Sequence, residues 1–169
     1  SGESSQIITS GEQIGVFYGK VWLGFDENGI SQFKEEILGT DTIEAIEIIG
    51  SPLPSFSYGI TNHLSYKQFD LSFLFNGVGG NDVFNNTDNA TLAKSNAATN
   101  GNTAIDKLNN GESFENPTQF SSRFIENGSF LRLNYVTLGY NFDLSNATWV
   151  KNLRVYATVS NPLVITNYK

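Results

Sequence analysis

The chain has 169 residues, a formal net charge of -7 and a sequence pI near 4.6, and this acidity argues against nucleic acid as a partner. It contains no cysteine, which excludes disulfides and thiolate metal sites. No apolar run approaches the roughly 18 residues of a membrane helix, so we expect no helical membrane span.

Aromatic residues are abundant in an otherwise polar chain, with Phe 13, Tyr 7 and Trp 2 against 39% hydrophobic residues in total. This composition is typical of a barrel that has aromatic belts at both membrane interfaces. An all-β domain with an aromatic core in water is the alternative.

The first predicted strand covers 14–25, which is apolar on both faces and contains three glycines. We expect it to leave the bilayer and enter a region covered by protein. A long connection over 26–55 follows. Within it, 31–38 predicts a short helix and 42–49 predicts a short strand.

The next two predicted strands, 56–66 and 69–76, both alternate between apolar and polar residues. If the two residues between them form a tight turn, Tyr66 and Phe69 become a cross-strand pair. The apolar faces of the two strands then merge into one.

The segment 77–122 is rich in Asn, Gly, Ser and Thr and shows no periodic pattern. A stretch of this length and composition indicates a functional loop or disorder rather than packed structure.

A second stretch of strand-forming residues runs over 123–142, and from Val136 onward it alternates strictly between apolar and small polar residues. It predicts a strand over 130–142, and a last strand is predicted over 153–164. Arg132 shares its parity with the apolar residues of this strand. We expect it at an outer rim, where its side chain snorkels and no register break is needed.

Alternation alone is compatible with two kinds of protein. In a soluble sandwich the apolar face is core and the polar face meets solvent. In an outer-membrane barrel the apolar face meets lipid and the polar face lines a wet lumen.

The block SRFIENGSFLRLNYVTLGYNF, followed by NLRVYATVSNPLVITNYK, resembles the C-terminal barrel segment of the SusC/RagA type of TonB-dependent outer-membrane transporters. The resemblance extends to IGVFYGKVWLGF near the start and to FSYGITNHLSYKQFDLSFLFNGVGGNDVFN in the middle, so it covers most of the chain. The segment 36–51, EILGTDTIEAIEIIGS, departs from the acidic, glycine-containing turn that is usual in the family.

The resemblance implies an all-β fold, in which antiparallel strands form part of a large, 22-stranded-type transmembrane barrel with long extracellular loops. The whole chain, 1–169, is then a partial barrel domain of about five strands, with the plug domain and the final strand absent. It also implies a bacterial outer-membrane location and uptake of glycan oligosaccharides or peptides. The implied partners are a SusD-like surface lipoprotein, outer-membrane lipid, and the TonB complex through an upstream region.

Barrels of this class keep turns short on the periplasmic side and loops long outside. The dipeptide Lys67-Gln68 and the turn over 143–152 are therefore predicted to be periplasmic, and 77–122 to be extracellular. The polar phase of the strands predicts the residues that face the lumen, which are His63, Thr137, Asn141, Arg154, Tyr156 and Thr158.

No catalytic residues are predicted, because no nucleophile, base and carboxylate can be assembled around the single histidine. No metal site and no cofactor are predicted either. The best candidates for contact with a ligand or a lid are Asn81, Asp82 and Phe84, in the block GGNDVFN at the start of the long loop.

Two other functions remain open from the residues. One is a siderophore or vitamin receptor of the same TonB-dependent architecture. The other is a soluble β-sandwich binding module.

Overall fold

A computed structural model describes residues 5–101, 103–144, 149–150 and 152–168. The chain forms two compact units, which are Ser1–Leu53 with Asn81–Asn127, and Pro54–Gly80 with Gly128–Lys169. The strands are Gln6–Ile7 (β1), Val16–Lys20 (β2), Trp22–Phe25 (β3), Ser31–Phe33 (β4), Glu35–Leu38 (β5), Asp41–Glu44 (β6), Ile46–Gly50 (β7), Phe56–Tyr66 (β8), Phe69–Gly79 (β9), Asp82–Phe84 (β10), Ile125–Asn127 (β11), Phe130–Phe142 (β12) and Leu153–Thr166 (β13).

Helical segments are short and lie in the first unit. They are one α-helix, Lys94–Asn100 (α1), a π-helical turn at Asp88–Leu92, and 3-10 turns at Ile105–Lys107 and Ser122–Phe124. Among the described residues, no helix has the length and apolar character needed to cross a membrane.

The second unit is one antiparallel sheet with the strand order β13-β12-β9-β8, which we call the wall. Its strands β8 and β12 have the bounds that alternation predicts, while β9 and β13 each run further than predicted. The register aligns the apolar residues across the sheet. One row, for example, consists of Leu64, Leu71, Leu138 and Ala157.

The hairpin between β8 and β9 closes through Lys67 and Gln68, and Tyr66 pairs with Phe69. The two-residue turn and the cross-strand pair are both as predicted from the sequence. Lys67 has a φ of 54°, the left-handed conformation that Gly or Asn usually adopts in such turns.

The register of β12 shifts at Asn134, so that Leu133 and Tyr135 pair with Phe75 and Leu74, two successive residues of β9. Such a bulge reverses the alternation of the strand. Arg132 consequently pairs with Asn76 and lies on the polar face of the wall. The prediction that it shares the lipid-facing phase without a register break is wrong, because parity counted along the strand does not register the additional residue.

The first unit differs from the sequence prediction at 14–25, which forms two strands rather than one. Strand β2 lies in a sheet of order β1-β2-β7, and β3 pairs with β4. The strands part at Val21, where the backbone changes from the β2–β7 ladder to the β3–β4 ladder. The Val21 carbonyl accepts from Lys34 N at 2.9 Å, and Trp22 N donates to Ser122 Oγ at 3.0 Å.

The helix predicted over 31–38 is absent, since these residues form β4 and β5. Strand β5 pairs with β6 through a two-residue turn in which Gly39 has a φ of 69°. A helix of this length is not stable in isolation, whereas the hairpin supplies cross-strand hydrogen bonds. The strand predicted over 42–49 is likewise divided, between β6 and β7.

The prediction that 77–122 is loop or disorder rather than packing is also wrong. The segment contains the end of β9, β10 and helical turns, and Ala93, Glu112, Asn116 and Ser121 within it are buried. Hydrophobic periodicity did not reveal this packing, because most of these buried residues are polar and are satisfied by hydrogen bonds.

Glu112 is the centre of that polar packing. It accepts two hydrogen bonds from Arg123, at 2.8 and 2.7 Å, and one from Asn116 Nδ2 at 2.8 Å. The Arg123 guanidinium also lies 4.9 Å from the ring centroids of Phe25 and Phe124. A buried, bidentate ion pair, which lies between aromatic rings, therefore stabilises the first unit.

A pH dependence follows from this pair. Burial raises the pKa of the Glu112 carboxyl, but hydrogen bonds from Arg123 and Asn116 outweigh burial, and the pKa lies below its usual value. A carboxyl whose pKa is lower in the folded state contributes stability above its unfolded pKa, and this is lost as the pH falls through the folded pKa. We expect hydrogen-exchange protection of 112–124 to be retained down to about pH 5 and lost in more acidic solution. Loss between about pH 7 and 5 contradicts this assignment.

Candidate functional site

The wall has two chemically different faces. Register and alternation place almost only apolar and aromatic side chains on one, which we call the apolar face, and Asn62 is its single amide. Much of this face is open, as Leu64, Leu138 and Val159 are each more than half exposed. A face of this kind needs a hydrophobic medium.

Aromatic rings gather at both ends of the apolar face. At one end Phe56 and Tyr58 are stacked, with centroids 6.1 Å apart, while at the other Tyr140 contacts both Phe69 and Phe142 at 4.8 Å. The eight residue steps from Tyr58 to Tyr66 rise about 20 Å across the membrane along a tilted strand. This height approaches the apolar band of a membrane barrel, about 25 Å, with its two aromatic girdles.

The opposite face, the polar face, carries small and polar side chains for most of its length. His63, Ser72, Thr137 and Thr158 form one row across the four strands. The hydroxyls of Thr137 and Thr158 are 2.9 Å apart and hydrogen-bonded. Three of the residues predicted to face the lumen are therefore neighbours.

The other three, Asn141, Arg154 and Tyr156, meet around Asp70. Arg154 donates from Nε at 2.9 Å and from Nη2 at 2.5 Å to the two oxygens of Asp70, and Asn141 Nδ2 donates to Oδ1 at 3.1 Å. The Arg154 guanidinium lies 4.9 Å from the Tyr156 ring centroid. This cluster joins β9, β12 and β13 across the polar face.

Asp70 was not among the residues predicted to face the lumen. It stands between Phe69 and Leu71 in an alternating strand, so its parity already assigned it to the polar face. A carboxylate in the same phase as Arg154 was the available signal.

Gly139 lies beneath the ion pair, and we expect it to tolerate no side chain. A Cβ atom there would lie 2.5 Å from Asp70 Oδ1 and 2.6 Å from Arg154 Nη2. Gly139→Ala should therefore separate the pair and lower the amount of folded, heat-modifiable barrel in outer membranes. The matched control is Gly59→Ala on the same face, where the nearest atom is 3.9 Å away. Equal yields of the two variants would refute this expectation.

The predicted contact residues Asn81, Asp82 and Phe84 lie in the first unit. Asp82 Oδ2 accepts from Ser51 N at 3.0 Å, and Phe84 packs edge-on against Phe120 with centroids 4.8 Å apart. Asn81 Oδ1 is shielded and has no hydrogen-bond partner among the described residues. Asp82 and Phe84 thus hold β10 in place, and Asn81 keeps an unused acceptor.

Metal binding finds no support in the part of the chain that the structure describes. Within it, no group of three or more His, Asp or Glu residues is placed to hold an ion.

Comparison with known proteins found relatives over nearly the whole chain, although no family model matches it. TonB-dependent receptor P3 of Formosa agariphila is 30% identical over 97% of this chain, and TonB-dependent receptor SusC of Bacteroides thetaiotaomicron is 34% identical over 86%. The chain spans only 19% and 16% of the length of these two relatives.

Solved structures show the same fold. A structure of the RagAB peptide transporter matches 97% of this chain with a TM-score of 0.72 at 22% identity, and the chain covers 21% of it. The RagAB peptide importer in its open-open state also matches with a TM-score of 0.72, over 91% of this chain at 23% identity.

The antiparallel strands are part of a large transmembrane barrel, and this explains why the wall has one apolar and one polar face. The named relatives are receptors and transporters, not enzymes. The chain belongs to the TonB-dependent receptors of the SusC and RagA type.

Proposed function

We propose that this chain is part of an outer-membrane nutrient importer that takes up glycan oligosaccharides or peptides. The observation that carries the proposal is the wall itself, which has an apolar face with aromatic ends and a polar face with an internal ion pair. The family relation to SusC and the fold shared with RagAB support import as the activity. In this proposal TonB supplies the energy.

The polar face lines the lumen and the apolar face meets lipid. The two-residue turn at Lys67 is periplasmic, since short turns lie on that side of such barrels. By the same asymmetry the long segment 77–122 is extracellular, where nutrient arrives. A SusD-like surface lipoprotein is the partner at this mouth, and Asn81, Asp82 and Phe84 belong to the contacting region.

Inactivating the receptor that carries this chain tests the proposed activity. We expect loss of growth on one class of oligosaccharide or on peptides as the sole nutrient, with iron and vitamin uptake unchanged. A defect in siderophore or vitamin uptake alone would contradict the proposal and favour the other branch of TonB-dependent receptors.

Replacing 87–111 by a short Gly/Ser linker tests the mouth. The replacement keeps the pairing of β10 with β11 and the ion pair of Glu112 with Arg123. Loop-closure entropy changes slowly with length, so we expect a normal amount of receptor in the outer membrane. Nutrient-dependent growth or co-purification of the lipoprotein should fall. Wild-type behaviour in both assays would show that the segment has no such role.

A further inference from the structure

Arg132 is the only basic side chain of the wall strands that no carboxylate neutralises among the described residues. The four strands carry three charged residues, Asp70, Arg132 and Arg154, and the first and last form an ion pair. Although the chain as a whole has a net charge of -7, the polar face therefore has an unpaired positive charge near one end.

Unsatisfied hydrogen-bonding atoms are concentrated at the same place. Arg132 Nε, Asn76 Oδ1 and Asn134 Oδ1 are all shielded, and none has a hydrogen-bond partner among the described residues. Arg132 pairs with Asn76 across β12 and β9, and Asn134 is the bulge residue beside them. Shielded polar atoms are normally satisfied, so these three atoms mark a polar spot on the wall whose hydrogen bonds are not made within the described residues.

An aromatic ring lies against the guanidinium, and there is open space over Gly59, two strands away on the same face. Arg132 lies over the Phe130 ring, with its central carbon 5.1 Å from the centroid. Asn76 pairs on its other side with Gly59, where an added Cβ would meet only one atom within 4 Å, at 3.9 Å. The row from Gly59 to Arg132 is thus polar, partly preorganised and open.

We propose that Arg132 and Asn76 form a binding site for a carboxylate group of the imported substrate, an inference that rests on the proposed import function. The Nη atoms of Arg132 and Nδ2 of Asn76, which are not among the shielded atoms, donate to the carboxylate. Peptides and oligosaccharides with acidic sugars both present a carboxylate. In the orientation proposed above, the site lies in the outer half of the lumen, where a substrate passes.

Binding to the purified full-length receptor tests the site with two pairs of probes. One pair is tetragalacturonate and its methyl ester, and the other is a tryptic digest of casein before and after amidation of its carboxyl groups. We expect the free carboxylate of one pair to bind about ten-fold more tightly than its neutral form. Arg132→Gln should abolish this preference without changing the dissociation constant of the neutral form, and Arg132→Lys should keep part of it.

Lys67→Gln is the matched control, because it removes one positive charge from the turn at the other end of the sheet and should keep the preference.

Unchanged binding of the neutral probe shows that Arg132→Gln is folded. A preference that survives Arg132→Gln, or equal binding of charged and neutral forms by the wild type, overturns the carboxylate site alone. Absence of binding by every probe also overturns the carboxylate site, while the proposed function is decided separately by the growth test above. The pair that shows the preference distinguishes a peptide from a glycan source.

Discussion

Leu138→Arg should sharply reduce the amount of folded receptor in outer membranes, whereas Thr137→Arg should leave most of it. Leu138 is 52% exposed on the apolar face, one row in from the aromatic ring of Tyr140. An arginine on the lipid face costs about 2–4 kcal/mol at the midplane and less towards the interface, so we expect about 2 kcal/mol here.

Thr137 is the next residue in the strand and lies on the opposite face, so the arginine introduced by Thr137→Arg meets the wet lumen. The cost there is limited to its hydrogen bond with Thr158, about 1 kcal/mol. The ratio of heat-modifiable to unfolded receptor on a gel measures both variants. Similar losses for the two would mean that the alternation does not separate lipid from lumen.

Glu112→Ala should unfold the packing of 112–124 while the wall remains assembled. The side chains of Glu112 and Arg123 are 1% and 9% exposed, so the substitution leaves a buried guanidinium without its carboxylate. Removing one member of a buried ion pair costs about 3–5 kcal/mol. We expect chymotrypsin to cleave faster after Phe120, within this segment, in intact receptor.

Glu115→Ala is the control, because Glu115 is exposed three residues away and should have no effect. Combining Glu112→Leu with Arg123→Met should restore much of the protease resistance, since two apolar side chains replace two charges. A Glu112→Ala receptor as resistant as the wild type would show that the ion pair does not hold this segment.

The wall was largely predictable from sequence because its signal is local. Alternation along β8 and β12 predicts where each strand lies and which residues share a face. The short turn at Lys67 fixes the register between β8 and β9. The bulge at Asn134 was missed because parity was counted only from Val136 onward. The apolar residues before it, Leu131 and Leu133, have the opposite parity, so the sequence does carry the change of phase.

The first unit was less predictable for a physical reason. Its core includes Glu112 and Asn116, polar residues that periodicity assigns to solvent, and their burial depends on partners that are distant in sequence. Its strands are also short, and β2 and β3 take their partners from different sheets. Which strands pair with β2 and β3 is decided by tertiary contacts rather than by local propensity.

Spin-label accessibility along β12 tests most directly whether the apolar face of the wall meets lipid and the polar face meets water. The chain has no cysteine, so single cysteines can be introduced at each position from 130 to 142 in the receptor except Gly139, which tolerates no side chain, with any other cysteine removed. We predict that oxygen, which concentrates in lipid, reaches labels at 131, 133, 136, 138, 140 and 142, and that a water-soluble nickel complex reaches those at 130, 132, 135, 137 and 141. The phase should change at Asn134. Equal accessibility of both sets to the nickel complex would contradict the account.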